Sequence, residues 1–115
     1  MTRLLSVVET PAYLGKAVRL MSETERAVVV DMIAAAPNIG VLIRGTGGLR
    51  KMRIPLEGRG KRGGGRVIYW FHSESYPAVL LWVFAKNEAA DLTSGQRRRL
   101  MAITNGLLND FRRRK

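Results

Sequence analysis

Apolar residues recur along this chain with two different periods, and the change of period separates helices from strands. Between residues 11 and 21 the apolar side chains fall on one face at helical spacing, which predicts an amphipathic helix. Residues 22–25 read as a capping box and open a second predicted helix, which ends near Ala36 because Pro37 disfavours helix at the residue before it. The second half of this helix is apolar nearly all round, so we expect it to be buried on more than one side.

The rest of the chain predicts strands followed by one more helix. Residues 49–56 alternate, with Leu49, Lys51 and Arg53 on one face, and 65–72 form an aromatic and β-branched run. A strand over 78–85 is apolar on both faces and is predicted to be central. Shorter extended pieces are predicted at 4–8, as an edge strand, and at 41–44. Thr93 or Ser94 caps the final helix, whose inner face is predicted to carry the following residues: Leu100, Ile103 or Thr104, Leu107 and Phe111.

The order of these elements predicts one α+β domain over residues 1–115. A chain of 115 residues can bury a core without disulfides, and it contains no cysteine. We expect an antiparallel sheet of about four strands, with the N-terminal helical hairpin packed on one face and a C-terminal helix. No apolar run approaches the roughly 20 residues that a membrane span needs, and no signal peptide is recognisable, so the cytoplasm is the expected compartment.

The net charge of +11 is unevenly distributed. Residues 1–43 hold four basic and four acidic residues, whereas 44–66 hold eight basic residues and one acid, Glu57. A second basic group lies in the C-terminal helix. Such concentration predicts a nucleic-acid partner, while an anionic membrane or an acidic protein is less favoured. The alternative is a solubilising surface.

The motifs do not support cofactor or metal chemistry. Residues 58–63 spell G-x-G-x-x-G, but a strand pattern follows them where a dinucleotide site needs a helix. The same loop is typical of arginine–glycine segments that contact phosphate, or of a basic hairpin tip without a ligand. The chain has a single histidine, His72, read either as a surface residue or as an RNA contact, so neither a metal site nor a Ser-His-Asp triad is expected. Most aromatic residues are expected in the core, and Trp70 is the one that shares the basic face.

Three runs of sequence resemble a known family. GTGGLRKMR at 45–53, GRGKRGGGRVIYW at 58–70 and FAKNEAADLT at 84–93 look like the HigB-like branch of the RelE/ParE toxins of bacterial type II toxin–antitoxin systems. The similarity extends from Glu9 to the last helix, and the middle run is its most specific part.

That resemblance implies an mRNA interferase that enters the ribosomal A site and cuts the message. It also implies a small HigA-like antitoxin with a helix-turn-helix part, and binding of operator DNA through the toxin–antitoxin complex. By analogy with the RelE pattern, Arg66 stabilises transition-state charge, Lys51 is the candidate general base, and Arg53 grips the phosphate. Lys86 is a candidate acid or second clamp. The remaining candidates for RNA contact are Arg50, Arg59, Lys61, Arg62, Trp70 and His72.

The expected chemistry needs no metal, because RNA supplies its own nucleophile, the 2′-hydroxyl, and cations can stabilise the developing charge. Crowding by like charges favours the neutral amine of Lys51. The RelE pattern also has an arginine after the last strand and a tyrosine farther along, where this chain has Asn87 and, nearby, Thr93. Two other functions remain open: a ParE-like gyrase poison, which would not need the dense basic set, and an RNA-binding module without catalysis.

Overall fold

The computed structural model describes residues 4–56, 64–89 and 91–114. Helices and strands occur there in the order β1 (Val7–Glu9), α1 (Pro11–Leu20), α2 (Glu23–Ala35), β2 (Val41–Leu42), β3 (Leu49–Ile54), β4 (Gly65–Trp70), β5 (Ala78–Ala85) and α3 (Ser94–Arg113). This confirms the α+β class, the helical hairpin and the C-terminal helix. No helix within the described ranges combines the length and the apolarity that crossing a membrane demands.

Side-chain caps set where the helices begin. The Ser22 hydroxyl accepts a hydrogen bond from the Glu25 backbone N–H at 3.1 Å, and the Glu25 carboxylate accepts one from the Ser22 N–H at 2.8 Å. The predicted capping box is therefore present, and it satisfies two backbone donors that a helix start otherwise leaves unpaired. Thr93, rather than Ser94, forms the equivalent box with Gln96 at the start of α3.

The sheet has five strands in the order β1-β5-β4-β3-β2, and it is mixed. The sheet is antiparallel, as expected, except at one edge, where β1 pairs parallel with β5, and the two-residue strand β2 brings the number of strands to five. The helical hairpin follows β1 directly and crosses one face of the sheet, so that β1 and β2 lie at opposite edges. As a result β4 takes the middle of the sheet, and β5, predicted to be central, lies between β4 and β1. Strand β3 ends at Ile54, before Pro55, which cannot donate to a ladder.

Each face of the sheet carries its own core. Helices α1 and α2 cover one face, where the buried side chains include Tyr13, Ile33, Met52, Tyr69 and Leu80. Helix α3 covers the other face, packing Leu100, Leu107 and Phe111 against a core that the sheet supplies. That core contains Leu49, Ile68, Trp70 and Phe84. The site residues of β3 and β4 share the second face, so α3 borders any site there.

Thr104, and not Ile103, lies on the inner face of α3; the sequence had left both residues open. Thr104 is buried, with its hydroxyl donating to the Met101 carbonyl at 2.9 Å, whereas Ile103 is 49% exposed. Satisfying the hydroxyl inside the helix allows a polar residue to be buried at that position.

Candidate functional site

Three basic side chains of β3 and β4 are brought together at one edge of the sheet. Arg53 pairs directly with Arg66, and residues opposite each other in an antiparallel pair lie on the same face, about 5 Å apart at Cβ. Lys51 is two residues along β3 and therefore on that face as well. We call Lys51, Arg53 and Arg66 the cationic cluster. All three line one open cavity of about 400 Å³ together with Met32, Ile39, Val41 and Met52.

The two arginines of the cluster differ in exposure, and neither has an acidic partner among the described residues. Arg53 is exposed, and Arg66 is half-buried with its guanidinium donating to the Gly65 carbonyl at 3.4 Å. Among the described residues no carboxylate lies within ion-pair distance of either arginine. Two neighbouring guanidinium groups that lack an acidic partner attract an anion. The planar N–H donors of each group match two phosphate oxygens.

Lys51 differs from the arginines because it has an acidic partner. Its ammonium group lies 3.0 Å from the Asp91 carboxylate, which belongs to the segment between β5 and α3. The Leu92 backbone N–H, donating to the other carboxylate oxygen, and the Lys51 ammonium together hold the pKa of Asp91 below its usual value. Lys51 therefore has one acidic neighbour in addition to the like charges that the sequence predicted around it. Sequence offered no signal for this contact, since 40 residues separate the two side chains.

Lys86 lies at the same end of the sheet as the two arginines. Its backbone N–H donates to the Gly64 carbonyl at 3.0 Å, directly beyond the Gly65–Ala85 pair, and its side chain is exposed. The backbone thus places Lys86 two positions beyond Phe84, the partner of Arg66 on β5. That position keeps Lys86 a candidate for a second contact with the ligand.

Arg50 is not part of the cationic cluster. It lies on the opposite face of β3, paired with Tyr69, and its guanidinium donates to the carbonyl oxygens of Gly40 at 2.7 Å and Asn38 at 3.3 Å. These bonds hold the turn that leads from α2 to β2. The structure therefore gives Arg50 a local structural contact on the far side of the sheet from Lys51.

The structure also separates Trp70 and His72 from the cationic cluster. At about 3.3 Å per residue, Trp70 is roughly 13 Å and His72 roughly 20 Å along the chain from Arg66. Trp70 does share the face of Arg66, as expected, but it is only 1% exposed because Phe111 of α3 stacks on it. His72 is exposed, stacks on Trp70 and packs against Tyr76 with the two rings tilted by 33°. A base could reach the Trp70 ring only if α3 moved.

The other predicted RNA contacts, Arg59, Lys61 and Arg62, fall outside the described residues. Asn87 and Thr93, at the positions of the RelE arginine and near that of its tyrosine, have separate placements. Asn87 is exposed in the turn after β5, and the Thr93 hydroxyl caps α3 by accepting from the Gln96 N–H at 3.1 Å. Across the described ranges, no three histidine or acidic side chains gather as a metal site requires.

Comparison with known proteins identifies the family. The model of the family described as the RelE toxin of the RelE/RelB toxin–antitoxin system matches residues 32–113, which include β3, β4, β5 and α3. The fold is similar to the structure of a double mutant of the E. coli toxin RelE in the free state, with a TM-score of 0.55 and 14% sequence identity. That match covers 76% of this chain and 88% of the other. A cationic cluster on this sheet, and a family match over most of the chain, lead to one conclusion: the chain belongs to the RelE toxin family of toxin–antitoxin systems.

Proposed function

We propose that this toxin is a ribosome-dependent mRNA endonuclease that stops translation in the cytoplasm. The observation that carries the proposal is the pairing of Arg53 with Arg66 beside Lys51 in one open cavity. Like charges placed opposite each other on a sheet repel, and a bound phosphate removes that repulsion. The chain belongs to a family of toxins, which favours phosphate binding in this cavity over a purely structural role of the cluster.

The proposed reaction is attack of the ribose 2′-oxygen on the adjacent phosphorus, without a metal ion. The 2′-hydroxyl proton passes to a base, the bond from phosphorus to the 5′-oxygen breaks, and that oxygen receives a proton as it leaves. Products are a 2′,3′-cyclic phosphate and a 5′-hydroxyl. Negative charge builds on the phosphate oxygens in the transition state, where fixed cations stabilise it most effectively.

Each residue of the cluster has a role in this proposal. Arg66, half-buried and therefore better fixed, stabilises the transition-state charge, and exposed Arg53 grips the phosphate. Lys51 is the proposed base and Lys86 the proposed acid or second clamp. Asp91 adds a condition, because an incoming phosphate competes with this carboxylate for the Lys51 ammonium. The base role further requires that Lys51 lose its proton before the 2′-hydroxyl can give up its own.

The proposed partners follow from the family. A toxin of this family implies a cognate antitoxin. We propose that the antitoxin is HigA-like, with a helix-turn-helix part, and that the complex binds operator DNA. The ribosome and its mRNA are the proposed target of the free toxin.

The Arg66→Ala variant tests the catalytic assignment. On induction in bacteria, the wild-type protein is expected to produce new mRNA 5′ ends within translated codons. Arg66→Ala is expected to lower this cutting by at least about 100-fold, since one fixed cation contributes several kcal/mol to such a transition state. Mapping of mRNA 5′ ends measures the effect. Arg19→Ala is the matched control, because it removes one exposed guanidinium from α1 on the opposite face of the sheet and should leave cutting intact.

Other outcomes would reject the proposal. Full toxicity of Arg66→Ala, with unchanged cutting, would contradict the role of this arginine. Trapped double-strand DNA breaks instead of mRNA ends would indicate a gyrase poison, and unaffected growth would indicate an RNA-binding module. A 3′-hydroxyl product would indicate attack by water in place of the ribose.

A further inference from the structure

A second cavity opens on the face of the sheet that α3 covers, between β5 and the first half of α3. It has a volume of about 210 Å³ and is lined by Trp82, Gln96, Arg99, Leu100 and Ile103. We call it the Trp82 cleft. Arg99 belongs to the basic group of the C-terminal helix, whereas Trp82 was expected in the core, and neither was among the named candidate site residues.

The register of the sheet places this cleft beside the cationic cluster. Trp82 pairs with Ile68 on β4, and Ile68 pairs with Lys51 on β3, so the three residues form a row across the sheet. Two strand spacings separate Lys51 from Trp82, or about 10 Å. Asp91, which precedes α3, contacts Lys51, and Leu92 packs on the core that contains Ile68. The two sites are close enough for one strand of RNA to contact both.

The lining combines an aromatic ring with open apolar surface and a cation. Trp82 is half-buried, in contrast to Trp70, which is 1% exposed. Ile103 is 49% exposed at the rim, and Arg99 is exposed beside it. From the α1 side, the Lys16 ammonium lies 4.9 Å from the centre of the Trp82 ring and is held by Glu88 at 3.2 Å. The same ring lines the cleft together with residues of α3.

Charge around the cleft favours an anionic ligand. Arg97, Arg98 and Arg99 are consecutive and exposed at the start of α3. The neighbouring acids contact cations, since Asp91 lies on Lys51 and Glu88 on Lys16. An aromatic platform next to arginines is the combination that holds an unpaired base together with its phosphate. An apolar protein anchor would fit the ring and Ile103, but it would leave the arginines without a counter-charge.

We propose that the Trp82 cleft is a nucleobase subsite of the RNA-binding surface. A base next to the scissile phosphate stacks on Trp82, and its phosphate contacts Arg99. The Gln96 amide NH₂, whose oxygen accepts from the Thr93 N–H at 2.9 Å, faces the polar edge of the base. This inference rests on the proposed function for the scissile phosphate, and it adds base recognition at a position about 10 Å away. The cleft then contributes to which sequences are cut.

A binding assay with an uncleavable RNA tests the subsite. A short oligonucleotide with 2′-O-methyl riboses is titrated into the full chain, and then replaced by a series in which each position in turn lacks its base. We expect one position at which base removal weakens binding about 10-fold, which is the usual effect of one base stacked on an aromatic residue. Trp82→Leu should show the same loss with the intact oligonucleotide, and no further loss when that base is removed.

The arginine is tested in parallel with a matched control. Arg99→Gln should weaken binding several-fold more than Arg98→Gln, which removes the same charge from the neighbouring residue outside the cleft lining. Circular dichroism checks that the variants are folded. If Trp82→Leu does not fold, the series of base removals on the wild-type protein and the two arginine variants still decide the result.

The outcomes separate this inference from the proposed function. Equal binding of every oligonucleotide in the series, with Arg99→Gln no weaker than Arg98→Gln, would overturn the subsite even if the wild-type protein cuts mRNA. A position-dependent loss in a protein that never cuts mRNA would support the subsite and reject the nuclease. Unchanged RNA binding by Trp82→Leu with weakened antitoxin binding would assign the cleft to a protein partner.

Discussion

Arg53 and Arg66 face each other across two hydrogen-bonded strands, an arrangement that costs stability because the two guanidinium groups repel. Elsewhere the described basic side chains include several with partners: Lys16 contacts Glu88, Arg26 contacts Glu9 and Lys51 contacts Asp91. Within the described ranges neither Arg53 nor Arg66 has an acidic partner, and this contrast, rather than the total charge, locates the anion site.

Gly64 precedes β4 in a conformation that only glycine adopts easily. Its φ is +66°, and a Cβ there would meet the Ile54 carbonyl group. We expect Gly64→Ala to lower the free energy of unfolding by roughly 2–4 kcal/mol. Gly15→Ala is the control, because α1 leaves open space there and alanine favours helix, so it should raise stability by about 0.5–1 kcal/mol. Denaturant unfolding measures both, and similar effects would show that the Gly64 backbone is not restrictive.

Tyr69 connects the sheet to the turn after α2. Its buried hydroxyl donates to the Pro37 carbonyl at 2.7 Å and accepts from the Gly40 N–H at 2.8 Å. We expect Tyr69→Phe to destabilise the protein by about 1–3 kcal/mol at pH 7, because it leaves two backbone groups unpaired. The Tyr13 hydroxyl is buried without a hydrogen-bond partner among the described residues, so Tyr13→Phe should be neutral or slightly stabilising. Equal losses in the two variants would contradict this account.

The same two tyrosines predict a loss of stability in alkali. Burial raises the pKa of Tyr69 above its ordinary value of 10.0, and it raises the pKa of Tyr13 as well. The unfolded chain therefore releases these protons at a lower pH than the folded protein. Their contribution is complete below about pH 10 and is lost as pH rises beyond it. Denaturation followed from pH 8 to 11 should show this fall, with a shallower slope in Tyr69→Phe, and a flat profile would exclude it.

At the scale of elements, α3 determines which side chains on its face of the sheet can contact a ligand. It covers Trp70 with Phe111 near its C-terminal end, and near its N-terminal end it leaves Trp82 half-exposed. The segment before α3 brings Asp91 to Lys51. The start of this helix therefore borders both the cationic cluster and the Trp82 cleft.

The cap of α3 has a measurable effect on this arrangement. Thr93→Ala removes the hydroxyl that accepts from the Gln96 N–H, and we expect a loss of about 1 kcal/mol in the free energy of unfolding. Ser94→Ala, one residue inside the helix, is the control and should change stability by less than about 0.5 kcal/mol. Thermal and denaturant unfolding of the two variants check the difference. A larger loss in Ser94→Ala would move the helix start by one residue.

At the scale of the whole molecule, the net charge of +11 acts on stability and on binding in opposite directions. Salt screens self-repulsion in the folded protein, so the free energy of unfolding should rise as NaCl increases from about 0.02 to 0.2 M. RNA binding should weaken over the same range, with log K falling linearly with log salt concentration. Sucrose, which is uncharged and does not screen electrostatic interactions, is the control for the binding measurement. A rise in RNA affinity with salt would rule out a phosphate contact.

Much of the fold and part of the candidate site followed from local sequence pattern. Helix starts, the boundaries of β5 and the shared face of Lys51 and Arg53 were predicted correctly, because capping and side-chain periodicity depend on neighbours only a few residues apart. The family resemblance was equally local, carried by short runs that include β3 and β4.

Contacts between distant residues were decided only by the tertiary structure. The parallel pairing of β1 with β5, the Asp91 partner of Lys51 and the use of Arg50 by the Gly40 turn join residues whose separation the pattern does not encode. The stacking of Phe111 on Trp70 likewise joins two residues that lie far apart in the sequence. Periodicity assigns a side chain to a face, but strand register and the path of α3 decide what lies opposite it. For that reason the sequence alone predicted a basic surface. The folded chain placed Arg53 and Arg66, which have no acidic partner in the described part of the chain, in one cavity.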